Sequence, residues 1–188
     1  MREYKTNAHP KALADSIPVF CAFDKIVKTS SLKANPLNPN THPEEQIKLL
    51  SEIIKATGWR APITVSKQSG LVVKGHGRLL AAKLAELNEV PVDYQNYSSQ
   101  EEETADLLAD NKIAEFSKIN KKQLLECFEQ YDTGETPFIL SGYTEAEYEE
   151  IAAMFDECDI NSGKDTKKKD KSVVCPECGS VFVPGEGD

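Results

Sequence analysis

The residues best suited to chemistry run Lys74-Gly75-His76-Gly77-Arg78. They follow the apolar stretch Leu71-Val72-Val73 and precede an alanine- and leucine-rich run to Leu87. A strand, a tight glycine turn and a helix form a phosphate-binding geometry. Unpaired amides at the helix start point at the anion, the glycines let the backbone approach, and Lys74 and Arg78 add charge. Two glycines one residue apart also suit a tight strand-to-helix turn that binds nothing, so the motif alone leaves both readings open.

The surrounding elements must hold that turn in place. Residues 1–17 show no periodicity and are expected to be a loose arm, and Val19 to Val27 suggests one or two strand segments. Asn35 to Pro43 is a loop shaped by three prolines and three asparagines. Pro43 then suits the first turn of a helix whose face is Ile47, Leu50 and Ile54, with Gly58 as its stop. Ala61–Ser66 and Leu71–Lys74 flank a turn and predict a hairpin. Arg78 to Leu87 predicts a helix with Leu80, Leu84 and Leu87 on one stripe, and Glu89 to Gln95 an alternating strand. Serines 98 and 99 offer caps for a helix to about Glu115, and capping boxes Asn120/Gln123 and Thr144/Glu147 open two more. Cys127, at helical spacing with Leu124 and Phe128, is expected in the core. Residues 159–172 are almost free of apolar side chains and predict a linker.

Composition bounds the function. The chain has 188 residues, 39% hydrophobic and 28% charged, which predicts one main globular domain with room for a small module. No apolar run approaches the roughly 18 to 20 residues that cross a bilayer, and Met1 to Pro10 lacks a signal peptide's apolar centre. A cytoplasmic protein without a membrane partner is expected. Five cysteines, an odd number without an export signal, argue for metal binding or plain burial rather than disulfides. The net charge of −9 argues at first against nucleic acid, but it is polarised. Residues 25–88 hold ten basic side chains against four acidic, and residues 117–161 hold three against eleven. The basic half carries the glycine motif and can serve phosphates; the acidic helices serve as a solvated face or a partner surface.

Five stretches in register carry a resemblance: Leu32 to Asn40, Glu44-Glu45-Gln46-Ile47, Ala61-Pro-Ile-Thr-Val65, Val73-Lys-Gly-His-Gly-Arg-Leu-Leu-Ala-Ala82 and Glu89-Val-Pro-Val92. Residues 25–116 resemble the ParB N-terminal domain of the ParB/sulfiredoxin superfamily. Leu108 to Glu115 and Thr136 to Glu149 are similar to short ParB-like proteins of phages and mobile elements, often found beside DNA methyltransferases. The resemblance implies an α/β (α+β) fold, a small mixed sheet with packed helices, that closes around a nucleoside triphosphate with Mg2+. Carried over by position, Lys74, Gly75, His76, Gly77 and Arg78 would hold phosphates. Asn38, Asn40 and His42 would line the pocket from the loop, and Asp110 and Asn111 would reach metal or nucleotide from the later helix.

The departures matter too. Partition-type relatives read Gly-Glu-Arg-Arg where this chain has Gly75-His76-Gly77-Arg78, so cytidine selectivity does not carry over. Sulfiredoxins place a reactive cysteine just before their arginine; this chain has none between Cys21 and Cys127. In a third, kinase-like branch a carboxylate takes a proton from the acceptor hydroxyl, a part open to Glu44 or Glu45, which otherwise serve as favourable charge at a helix start. His76 is a candidate proton shuttle or phosphate donor, and equally a turn stabiliser. Finally, Cys175-Pro176-Glu177-Cys178-Gly179 resembles half a zinc ribbon. Structural zinc takes four ligands, so Cys175 and Cys178 would need the same pair from a second chain, making a homodimer through the tail, or else the tail is metal-free.

The expected organisation is an arm (1–24), a nucleotide-binding domain (25–116), a helical extension (117–158), a linker (159–172) and a zinc-knuckle tail (173–188). Three functions follow. The first is an NTPase or kinase-like phosphotransferase in a DNA-related process such as DNA modification. The second is a non-enzymatic adaptor for DNA or a DNA-modifying enzyme, and the third a ParB-like nuclease.

Overall fold

The computed structural model describes residues 8–131, 138–162, 173–174 and 181–182. The chain divides into two compact units, Met1–Tyr148 and Glu149–Asp188. Among the described residues the architecture is mixed α/β, with small sheets and five α-helices. Among the described residues no helix is long and apolar enough to cross a membrane.

The first unit is built on a four-stranded sheet of β3 (Lys25–Lys28), β4 (Ile63–Ser66), β5 (Val72–Lys74) and β6 (Glu89–Gln95), in the order β3-β6-β4-β5. β6 pairs antiparallel with β3 and parallel with β4, and β4 and β5 form the expected antiparallel hairpin. Both faces of the two central strands are covered: Ile63 to Ser66, the polar Thr64 and Ser66 included, and Val90 to Val92 are all buried. Helix α1 (Glu44–Thr57) packs on α2 (His76–Leu84), and α3 (Gln100–Phe116) packs along β5. Three predicted caps form. Ser99 Oγ accepts from the Glu102 amide at 3.2 Å, Asn120 Oδ1 accepts from the amides of Lys122 and Gln123 at the start of α4 (Lys121–Tyr131), and Thr144 and Glu147 close a reciprocal box at the start of α5 (Glu145–Ser162).

Four expectations need correction. Residues 12–19 are no arm: β1 (Ala12–Ala14) and β2 (Ile17–Val19) form a hairpin through Asp15 and Ser16, both at positive φ, and Ala14 and Val19 are fully buried. Strands of three residues are too short to show a period, which is why the segment reads as structureless. The α2 stripe is rotated. Leu80 and Leu84 are exposed, while Leu79, Ala81 and Ala82 are buried, because the small alanines let α2 approach α1 and the sheet. Cys127 is exposed; the buried side chain of α4 is Phe128, whose ring meets Tyr143 and Tyr148 edge-on at 5.2 and 5.6 Å. Helix α5 continues to Ser162, past the start of the expected linker. In the second unit β7 (Val173–Val174) pairs antiparallel with β8 (Val181–Phe182); Cys175 and Cys178 lie outside the described residues, as does the side chain of Cys158.

Gly58 shows why the N-terminal hairpin is fixed. It ends α1 at φ +77°, and a Cβ there would stand 2.5 Å from the Pro18 carbonyl oxygen and 2.9 Å from the Phe20 ring. The Trp59 amide donates to Pro18 O, and the Phe20 amide donates to Trp59 O. Gly70 has a similar φ, +72°, but open space around it. Gly70→Ala should therefore cost only backbone strain, about 1 kcal/mol, whereas Gly58→Ala adds displacement of β2 and should cost about 3 kcal/mol or more. Urea unfolding of both variants checks this, and equal losses would sink the argument.

Candidate functional site

β5 ends at Lys74, and the chain turns at Gly75, which caps α2 in the left-handed conformation at φ 90°, ψ 30°. Glycine suits the position on two counts. The conformation disfavours side chains, and a Cβ would lie 3.0 Å from Arg78 Nη2, because the Arg78 side chain folds back over the turn. Its Nε donates to the Pro62 carbonyl at 3.2 Å. Burial pulls the Arg78 pKa down, opposed by the charge of Asp110; a guanidinium stays protonated regardless. Helix α2 starts at His76, two residues earlier than expected, so the amides of His76, Gly77 and Arg78 are the first-turn donors that have no intrahelical acceptor.

The asparagine loop closes against this turn. Asn35 is buried; its Oδ1 accepts from the Leu37 amide at 2.9 Å, and its carbonyl accepts from the Asn38 amide at 3.1 Å. Its own amide donates to His76 Nε2 at 3.3 Å. That bond requires Nε2 to be an acceptor, hence a neutral imidazole. Burial above all, and then the charge of His42, push the His76 pKa below the ordinary histidine value. On the far side, His42 meets Gln46 Oε1 through Nδ1 at 3.1 Å, and its Cε1 lies 3.4 Å from where a Gly77 Cβ would stand. His42 packs against Gly77 at ordinary contact distance.

Helix α3 supplies the third wall. Asn38 Oδ1 accepts from Asn111 Nδ2 at 3.3 Å and from the Asn40 amide at 3.3 Å. Lys74 Nζ is 2.9 Å from Asp106 Oδ1 and 4.0 Å from Asp110 Oδ1. Asn38, Asn40, His42, Lys74 to Arg78, Asp110 and Asn111 thus converge from three separated segments. Glu44 and Glu45 do not join them through any described contact. Both are exposed in the first turn of α1, where Glu44 pairs with Lys48 at 2.6 Å. Sequence reasoning missed Asn35, Asp106, Tyr97 and Glu103. Glu103, Asp106 and Asp110 follow one another at one-turn spacing along α3, which was the available signal.

The sequence profile of the ParB N-terminal domain matches residues 14–111. Over 55 residues the chain is 40% identical to the ParB-like nuclease domain-containing protein YnaK of Escherichia coli strain K12. That match takes in 29% of this chain and 62% of YnaK, so less than two thirds of that relative's length is spanned. The fold is similar to that of C-terminally truncated chromosome-partitioning protein ParB from Caulobacter crescentus complexed with CTP-gamma-S, with TM-score 0.57 and 19% identity, over 76% of this chain and 87% of that one. Sulfiredoxin from Arabidopsis thaliana superposes with TM-score 0.37 and 17% identity, over 45% of this chain and 98% of that one. At 19% identity the likeness to ParB speaks for the fold alone.

The His76–Asn35 bond generates a pH dependence. A lowered folded pKa means that the unfolded chain takes up the proton first, so stability is complete above the ordinary histidine value of about 6.5 and is lost as pH falls through the folded value. His76→Gln, which keeps an acceptor without titrating, should flatten the urea midpoint against pH below about 6.5 relative to wild type. Parallel curves for the two proteins would overturn the assignment.

Proposed function

The chain belongs to the ParB N-terminal domain family, and we propose that it binds a nucleoside triphosphate at the Gly75–Arg78 turn and hydrolyses it or transfers its phosphate. The observation that carries this reading is the cradle at the start of α2. Gly75, in the left-handed conformation with Arg78 folded over it, and Gly77 set three helix-start amides next to Lys74 and Arg78. Such a cradle fits phosphate oxygens by hydrogen bonding, dipole and charge together. The related ParB from Caulobacter crescentus is seen with CTP-gamma-S, and the same class of ligand suits this turn.

In this reading Lys74, Gly75, His76, Gly77 and Arg78 hold phosphates, with Asn38, Asn40 and His42 lining the pocket from the loop. Asp110 and Asn111 would supply oxygen ligands to a phosphate-bound Mg2+. Among the described residues there is no group of three acidic, histidine or cysteine side chains that could hold a metal alone, so the ion would take most of its ligands from phosphate and water. A bound triphosphate supplies an activated phosphoryl group. His76, neutral and tied to the Asn35 amide through Nε2, serves to hold the loop shut, and Glu44 and Glu45 would act only if the loop brought them to the turn.

The second reading is a non-enzymatic adaptor for DNA or a DNA-modifying enzyme of a phage or mobile element. The basic charge of residues 25–88 favours it. A nuclease, the domain named in YnaK, ranks last for want of a metal-capable cluster among the described residues. Phosphate release, or its absence, with the DNA substrate's length unchanged, separates the three.

Titration of the full chain with each common triphosphate and magnesium tests the main reading. A binding partner at a hundredfold excess over its Kd should stabilise the protein by about 2.7 kcal/mol, visible in a melting curve. Arg78→Ala should weaken binding at least about tenfold, or 1.4 kcal/mol. No binding by wild type to any triphosphate refutes it. The tail carries a separate proposal: β7 and β8 pair on either side of the segment holding Cys175 and Cys178, and those thiolates bind zinc shared with a second chain. Metal analysis of purified protein should give about half a zinc per chain; a value near zero overturns it.

A further inference from the structure

Beside the phosphate turn, across Lys74, lies a cleft of about 710 Å3 between α3 and the ends of β4, β5 and β6. Its walls include Thr64, Asp93, Gln95, Tyr97, Glu102 and Asp106. Lys74 is the one cation among the lining residues, and Asp106 already neutralises it at 2.9 Å. The second oxygen of Asp106 accepts from the Tyr97 hydroxyl at 2.8 Å. Burial, reinforced by that bond, pushes the Tyr97 pKa far up, so the phenol stays a donor. Burial works against the Asp106 charge, but the hydrogen bonds from Lys74 and Tyr97 outweigh it and hold the carboxyl below its usual range. Asp93 and Glu102 add charge that no cation among the lining residues offsets; their side chains meet only neutral donors, Gln95 Nε2 for Asp93 and the Ser98 amide and hydroxyl for Glu102.

The cleft is therefore large enough for a small metabolite, rich in acceptors and net negative, while the turn next to it is built for anions. A phosphate group is repelled from the cleft by the same carboxylates that would attract an ammonium group. We propose that this cleft is a second ligand site, one that takes a small primary amine or amino alcohol and sets it beside the phosphate turn. Its amine meets Asp93 and Asp106, and its hydroxyl meets the Gln95 amide and the Thr64 hydroxyl. The binding does not depend on a nucleotide, and so stands apart from the nucleotide-binding reading.

The test uses the full chain without nucleotide. Ethanolamine, Tris, glycerol, inorganic phosphate and magnesium chloride are titrated separately while backbone amide resonances are followed. Ethanolamine and Tris should shift the amides of residues 93–97 and 105–109, with glycerol weaker and phosphate without effect there. Ala105→Trp puts a large side chain on the exposed face of α3 that lines the cleft, and should weaken the amine at least about tenfold, as should Asp106→Asn. Three outcomes overturn the proposal: no shift with any amine at tens of millimolar, equal shifts in Ala105→Trp, or magnesium or phosphate occupying the cleft as well as the amines do. Triphosphate titration of wild type against Arg78→Ala reads the turn independently. A chain that binds triphosphate but no amine loses this inference alone, and one that binds amine but no triphosphate loses only the nucleotide reading.

Discussion

The geometry of the site rests on Glu103, a carboxylate that is 3% exposed and has no cation against it among its described hydrogen bonds. It accepts from Ser66 Oγ at 2.6 Å and from Ser69 Oγ at 2.7 Å, and Ser66 Oγ in turn accepts from the amides of Gln68 and Ser69. A buried charge costs several kcal/mol unless its lone pairs are met, so this helix can sit on the β4–β5 turn in one rotation only. The constraint matters because α3 has little else to hold it. Its buried residues are Glu103 and Leu107. With Glu103 seated, Asp106 comes to Lys74, and the next turn brings Asp110 near Lys74 and Asn111 to Asn38.

That arrangement sets two electrostatic regimes side by side. The turn gathers helix-start amides and Arg78, while α3 brings a row of carboxylates to within 4.0 Å of the lysine that separates them. Lys74 alone cannot serve both. Its ammonium has three donors and one is committed to Asp106, so an anion at the turn relies more on Arg78 and the backbone. Under the nucleotide reading, a divalent cation on the phosphates would reconcile them with Asp110, which explains why an acidic helix can border a phosphate site without closing it to anions.

Much of the fold is legible in the sequence because its signals are local. β6 matches its predicted span, α1 begins after Pro43 and ends at Gly58, and the caps at Ser99, Asn120 and Thr144 are spelled out within four residues each. The failures are non-local. The burial of Ala14 and Val19 follows from backbone bonds between Pro18, Phe20 and Trp59, some forty residues apart. The exposure of Leu80 and Leu84 is decided by which face of α2 meets α1. Leucines score as core by composition, but close helix packing selects the alanines. Glu103 looks in sequence like one more acid in a helix's first turn, and only the serines 34 and 37 residues earlier give it a burial partner.

The two departures from the partition-type motif form one device. A side chain at position 77 would start in van der Waals contact with the His42 ring, 3.4 Å from its Cβ, and an arginine would have to pass beside that ring. A glutamate at position 76 would bring an acceptor to the Asn35 amide, but as an anion in a half-buried place, drawn to the first-turn amides beside it. A neutral histidine makes the same bond without that charge. His76 and Gly77 together let the asparagine loop lie directly on the glycine turn, held at Asn35 from below and by His42 from above, with Asn38 tied across to α3. The loop is thus held to two walls of the site: Asn35 N–H and His42 meet the glycine turn, and Asn38 meets α3.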